Sequence, residues 1–199
     1  MADRKPRLII LGGASGSGKS YLAQRFGRPA VELDAFYREI EEDAVDPLPR
    51  TPYDEIAWDH VDTYRANHAA DALRRLVEQR EVTIPVYDIS TSSRTGTRQL
   101  RVTHGPVIAE GIFAAAVVQE LRGQEIACDA WHVIESRTMT MLRRFVRDVR
   151  EARKPIPFLI RRGFALRAAE TELRRLAAAA GFELIPKRRI KRTLRRELD

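Results

Sequence analysis

Gly12-Gly13-Ala14-Ser15-Gly16-Ser17-Gly18-Lys19-Ser20 follows directly on the apolar run Leu8-Ile9-Ile10-Leu11. From Gly13 to Ser20 the stretch has the form G-x-x-x-x-G-K-S, and the run before it predicts a buried strand. Glycines let the backbone curl with its N–H groups pointing inward. A helix starting near Lys19 adds its positive end, so that main chain alone can hold a polyphosphate. The pattern therefore assigns Gly13, Ala14, Ser15, Gly16, Ser17, Gly18, Lys19 and Ser20 to nucleotide binding. Lys19 would reach the β- and γ-phosphates, and the Ser20 hydroxyl would ligate the Mg2+ that bridges them.

Working outward, the helix is expected to run through Phe26 and to be followed by a short β-leaning stretch, Ala30-Val31-Glu32-Leu33-Asp34. Strand, loop, helix and strand in this order open a parallel sheet of the doubly wound α/β type. Ligands of such sheets collect beyond the carboxyl ends of the strands, so Asp34 is expected to face the same crevice as the phosphate loop. The acidic, proline-punctuated segment from Arg38 to Ile56 reads as a mobile loop over the site.

A helix is expected from Thr63 to Arg80, with Asp62 or Thr63 as its N-cap. Val82 to Asp88 is extended, and Thr97 to Val102 with the turn His104-Gly105 suggests a hairpin arm. Pro106 to Gly111 is a strand closed by a carboxylate, Glu110. A helix near Ile112 to Leu121 and a strand from Ala130 to Ile134 follow. Thr138 to Arg153 predicts a strongly basic helix. A further helix from Phe158 to Ala180 is expected to bury Leu166, Leu173 and Leu176 and to stop at Gly181, with Phe182 to Ile185 as a closing strand.

The 199 residues suit one α/β domain with a buried core, and no internal repeat or linker divides them. No apolar run approaches the roughly 20 residues of a membrane span. The charged N-terminus runs straight into the first strand without a secretory segment, so a cytoplasmic location is expected. The single cysteine, Cys128, excludes an internal disulfide and reads as inert. Of the net charge of +7, residues 187–199 carry most, with seven basic side chains against two acidic ones. A short basic tail of this kind is read as a solvated helix or frayed end, and nucleic acid is not the expected partner.

A phosphate loop alone does not separate a kinase from other nucleotide-binding proteins. Phosphoryl transfer needs a metal, a base for the acceptor hydroxyl and cations that close on the transferring group. Asp34 suits the base, Glu110 suits a magnesium partner, and the arginines of the Thr138 to Arg153 helix suit a lid. The opposing readings are a turn residue, a strand-end carboxylate and a solvated helix face.

Six segments together resemble the uridine kinase family of phosphate-loop kinases, in the group that includes phosphoribulokinase. They are Gly13 to Ser20; Asp34-Ala35-Phe36-Tyr37; Trp58-Asp59-His60-Val61-Asp62; Pro85-Val86-Tyr87-Asp88 with Ser93-Arg94; Glu110-Gly111; and Arg143-Arg144-Phe145-Val146-Arg147-Asp148. The resemblance implies a kinase using ATP and Mg2+, with Ser20, Asp34 and Glu110 at the metal. It implies Asp34 as general base on a sugar 5′-hydroxyl, with Lys19, Arg144 and Arg147 completing the catalytic set. Tyr37, Asp59, Tyr87 and Arg144 would hold a pyrimidine nucleoside such as uridine or cytidine. It also implies a homo-oligomer to which the Thr97 to Val102 arm contributes. The chain departs from the family at Ser92, where a base-contacting histidine is usual, and at Glu151-Ala152-Arg153-Lys154 after the lid helix. Two alternatives stay open. One is a kinase of the same fold acting on another small alcohol, such as a sugar, sugar phosphate or vitamin precursor. The other is a non-catalytic nucleotide-binding regulatory module.

Overall fold

In the computed structural model, which describes residues 5–135 and 173–198, five strands form one parallel sheet. They are β1 (Leu8–Gly12), β2 (Ala30–Glu32), β5 (Val107–Glu110), β6 (Asp129–Ile134) and β7 (Glu183–Pro186), in the spatial order β2-β5-β1-β6-β7. β1 lies at the centre and is buried along its whole length. This is why it reads as an unbroken apolar run: a parallel strand covered on both faces has no polar side.

The side chains of β1 divide between two cores. Leu8 and Ile10 join Leu73, Leu76, Val117 and Leu121 on one face. The helices there are α2 (Ala66–Gln79) and α3 (Ala114–Gly123). Ile9 and Leu11 pack with Leu22, Phe26, Ile190 and Leu194 on the other face. That face is covered by α1 (Lys19–Phe26) and α4 (Lys187–Leu198). Helices on both faces of a parallel sheet are the doubly wound architecture expected from the opening strand-loop-helix-strand.

Five expectations need correction. Asp62 and Thr63 do not cap α2, because they belong to a 3-10 turn, Val61–Thr63, and the helix begins only at Ala66. The Thr63 hydroxyl lies 2.6 Å from the carbonyl of His60 and 3.2 Å from that of Trp58, so it is engaged upstream. The hairpin pairs β3 (Glu81–Asp88) with β4 (Ser93–Arg101) as a separate antiparallel ribbon. Its turn is Ile89 to Ser92, with Ser92 in the left-handed region at φ 50°, and not His104-Gly105.

Leu173 and Leu176 are 41% and 58% exposed; Ala177 supplies the buried contact of that helix end. Gly181 does close it, at φ 77°. Leu166 and the basic helix of residues 138–153 lie outside the described residues. The basic stretch at the C-terminus is not a frayed tail: Ile190 and Leu194, four residues apart on α4, are 1% and 0% exposed.

The segment from Arg38 to Ile56 lies where a covering loop was expected, but it is tied down. A 3-10 turn, Ile40–Ala44, carries a reciprocal Glu39–Glu42 capping box. Arg38 pairs with Glu42 at 3.2 Å and with Asp46 at 2.8 Å, and Arg65, just before α2, closes on Glu42. Leu48 is 2% exposed beneath it.

Candidate active site

The phosphate loop occupies the turn between β1 and α1. Gly13, Gly16 and Gly18 have φ of 139°, 80° and 93°, which a side chain would resist, and a turn closes with Ser17 N donating to Ala14 O at 3.1 Å. Lys19 is 6% exposed, and its Nζ donates to the carbonyls of Gly13 at 2.8 Å and Ala14 at 3.2 Å. The ammonium is thereby folded over the loop that its own helix starts from. Ser20, next along, is exposed at the first turn of α1.

Asp34 stands just past β2 in a 3-10 turn, Leu33–Phe36. Parallel pairing of β2 with β5 aligns Glu32 with Glu110, so the chain past β2 meets the end of β5. Glu110 is 9% exposed. Burial, then the nearby Glu110 carboxylate, push the Asp34 carboxyl up to about 6; Lys19 pulls in the opposite direction. Asp34, Glu110 and Lys19 thus share one electrostatic neighbourhood. A carboxyl near 6 is ionised at neutral pH yet basic enough to accept a proton from a bound hydroxyl.

Burial, and then the charges of Asp34 and Asp59, raise the Tyr37 phenol far above the usual range. Its ring stacks on Tyr87 at 5.7 Å between centroids and meets Phe113, Tyr64 and Trp58 edge-on at 5.6, 5.7 and 6.1 Å. Tyr37 is 9% exposed at the centre of this group. Tyr87 donates to the carbonyl of Arg38 at 2.9 Å and bonds the Ser92 side chain; burial pushes its phenol up to about 12. Two further bonds fasten the hairpin turn to the covering segment. Ile40 N donates to Ser92 O at 2.9 Å, and Arg94 N donates to Glu39 Oε2 at 3.0 Å. Asp59 is exposed at the rim.

Of the expected site residues, the structure brings the loop from Gly13 to Ser20, Asp34 and Glu110 to one end of the sheet, with Tyr37, Asp59 and Tyr87 beside them. Arg144 and Arg147 lie outside the described residues. Sequence reasoning missed Tyr64, Phe113 and Lys187, the last of which lies against Gly18 of the loop. Tyr64 falls within the helix expected from Thr63, but it precedes α2, and its hydroxyl donates to Leu33 O at 3.0 Å, next to Asp34. Phe113 and Lys187 each follow the carboxyl end of a sheet strand, and the rule that singled out Asp34 would have singled them out too.

Residues 8–154 match the model of the Phosphoribulokinase / Uridine kinase family. A uridine kinase of Clostridium botulinum (strain 657 / Type Ba4) is 25% identical over 167 residues, covering 79% of this chain and 76% of its own. A uridine kinase of Streptococcus agalactiae serotype V is 24% identical over 164 residues, covering 79% and 75%. In fold, the chain is similar to a protein assigned as a fructose transport system kinase from Silicibacter sp. TM1040, with a TM-score of 0.56 at 18% identity over 92% of this chain and 89% of that one. With the phosphate loop, the doubly wound sheet and the family match over residues 8–154, the chain belongs to the phosphoribulokinase/uridine kinase family of phosphate-loop kinases.

Proposed function

We propose that this chain transfers the γ-phosphoryl group of ATP to a hydroxyl of a small molecule, with the 5′-hydroxyl of uridine or cytidine as the foremost acceptor. The observation that carries the proposal is the Asp34 carboxyl, raised to about 6 and coupled to both Lys19 and Glu110 beside the phosphate loop. Asp34 takes the proton of the acceptor hydroxyl, the acceptor oxygen bonds to the γ-phosphorus, and the bond to the β-phosphate oxygen breaks as ADP leaves. Lys19 neutralises charge on the transferring group. Arg144 and Arg147 are assigned the closing cations on family resemblance.

Mg2+ fits the oxygen donors here. Ser20, Asp34 and Glu110 offer a hydroxyl and two carboxylates, and a hard cation that keeps its waters and binds substrate phosphates needs no all-protein cage. When bound, it neutralises phosphate charge. A carboxylate pair in which Glu110 raises the proton affinity of Asp34 is the setting in which a divalent cation binds well.

Acceptors other than nucleosides form a second reading, and specific contacts favour it. Ser92 is bonded to Tyr87, and Tyr37 is already enclosed by four other rings, so little aromatic face is left for a pyrimidine to stack upon. The test is a panel of uridine, cytidine, sugars and sugar phosphates incubated with Mg-ATP, the phosphorylated product being identified by mass. Product from uridine or cytidine alone supports the nucleoside reading. Product from a sugar alone replaces it while retaining the kinase. Assembly as a homo-oligomer belongs to the same proposal, with β4, largely exposed, as the element that would carry it.

A further inference from the structure

Lys187, the first residue of α4, sits on the phosphate loop although it is far from it in sequence. A Cβ on Gly18 would land on Lys187 Nζ and lie 2.7 Å from its Cε. The same Nζ lies 5.0 Å from the centroid of the Tyr21 ring, and Lys191 Nζ, one turn further along α4, lies 5.7 Å from it. Two ammonium groups converge on one ring at the edge of a loop built for anions. α4 cannot easily swing away, because Ile190 and Leu194 fasten it to the core beside Leu22 and Phe26 of α1.

The sheet order says which part of a bound nucleotide this edge would face. Asp34 follows β2 at one edge of the sheet, Lys187 follows β7 at the other, and the phosphate loop follows β1 between them. A linear triphosphate lying in the loop with its γ-phosphorus toward Asp34 extends its α-phosphate and nucleoside toward β7.

We infer that Lys187 is a donor-nucleotide ligand that contacts the polyphosphate at the α-phosphate end, with Lys191 adding to the positive field there. The inference rests on the kinase reading above, which fixes the direction of the triphosphate. The small residue at position 18 then has a double role: it supplies the left-handed backbone of the loop and leaves the space that Lys187 fills.

The test is calorimetric binding of ADP, with and without Mg2+, to the wild-type chain and to Lys187→Gln and Lys187→Arg, with thermal unfolding of each recorded. A charge-assisted contact to phosphate is worth roughly tenfold or more in affinity. Lys187→Gln should therefore bind ADP about tenfold more weakly, with Lys187→Arg recovering most of the loss and an unchanged KM for the acceptor. The inference is overturned if Lys187→Gln, folded as the wild type, binds ADP with wild-type affinity. A wild-type chain that binds no ADP overturns the kinase reading as well.

Discussion

Gly111 lies against Asp34: a Cβ at position 111 would stand 3.3 Å from Asp34 Oδ1 and 2.7 Å from Leu33 Cβ. The Glu110-Gly111 pair therefore does two things at the end of β5. Glu110 raises the proton affinity of Asp34, and the absent side chain at 111 leaves room for the turn that presents it. Gly111→Ala forces Leu33 and Asp34 to shift. The expected outcome is a loss of roughly 1–3 kcal/mol in stability, as for overpacked cores, together with a fall in kcat. Thermal unfolding and steady-state kinetics check it.

The Asp34 carboxyl gives the activity a defined acid limb. As the group loses its proton near pH 6, kcat/KM should rise with pH through about 6 and level off above it. Because Glu110 is one cause of the elevation, Glu110→Gln should move the Asp34 titration down toward its ordinary value of 3.8. Carboxyl NMR titration of the nucleotide-free chain reads this shift even if the substitution impairs turnover.

The same elevation has a sign for stability. An acid whose folded value is raised holds its proton more tightly in the folded state, so stability falls as pH rises from about 4 to about 6 and the penalty is complete above that. Asp34→Asn removes the penalty. Allowing for partial solvent screening, the variant should be more stable than the wild type by on the order of 1–2 kcal/mol at pH 7.5, with the difference vanishing near pH 4. Urea unfolding at the two pH values checks it.

α4 is part of the core on the structural evidence, since Leu194 is 0% exposed between α1 and the sheet. Leu194→Ala should cost about 2–5 kcal/mol. An Arg192→Ala change on the exposed side of the same helix should cost under about 0.5 kcal/mol. Equal and small effects from the two would mean that α4 does not pack as described.

The sheet and the loop were legible because their signals are local. Leu8 to Leu11 is apolar on both faces, and the glycines and Lys19 follow without a gap. Asp34 and Glu110 were legible because a carboxylate at the end of a parallel strand has one place to point. What was hidden depended on partners distant in sequence. The two buried apolar residues of α4, Ile190 and Leu194, are outnumbered by charge, so a packed helix looked like a solvated one. Leu173 and Leu176 carried the right residue type, but in the described end of that helix the buried contact is made by Ala177. Thr63 has the chemistry of a cap, but its hydroxyl was already engaged by His60 and Trp58. The enclosure of Tyr37 joins rings from residues 58, 64, 87 and 113, which no single window of sequence displays.

Asp34→Asn separates phosphoryl transfer from nucleotide binding. The decisive measurement compares ADP release from Mg-ATP, driven by the acceptor panel, in wild type and variant, with ATP binding measured on the same preparations. The expected result is acceptor-dependent ADP release by the wild type and a fall of about 10²–10⁴-fold in the variant, with ATP binding retained. Acceptor-driven release that persists at the wild-type rate in Asp34→Asn would contradict the role given to this carboxyl. A wild-type chain that binds ATP but turns over no acceptor would contradict the kinase itself and leave a nucleotide-binding module in its place.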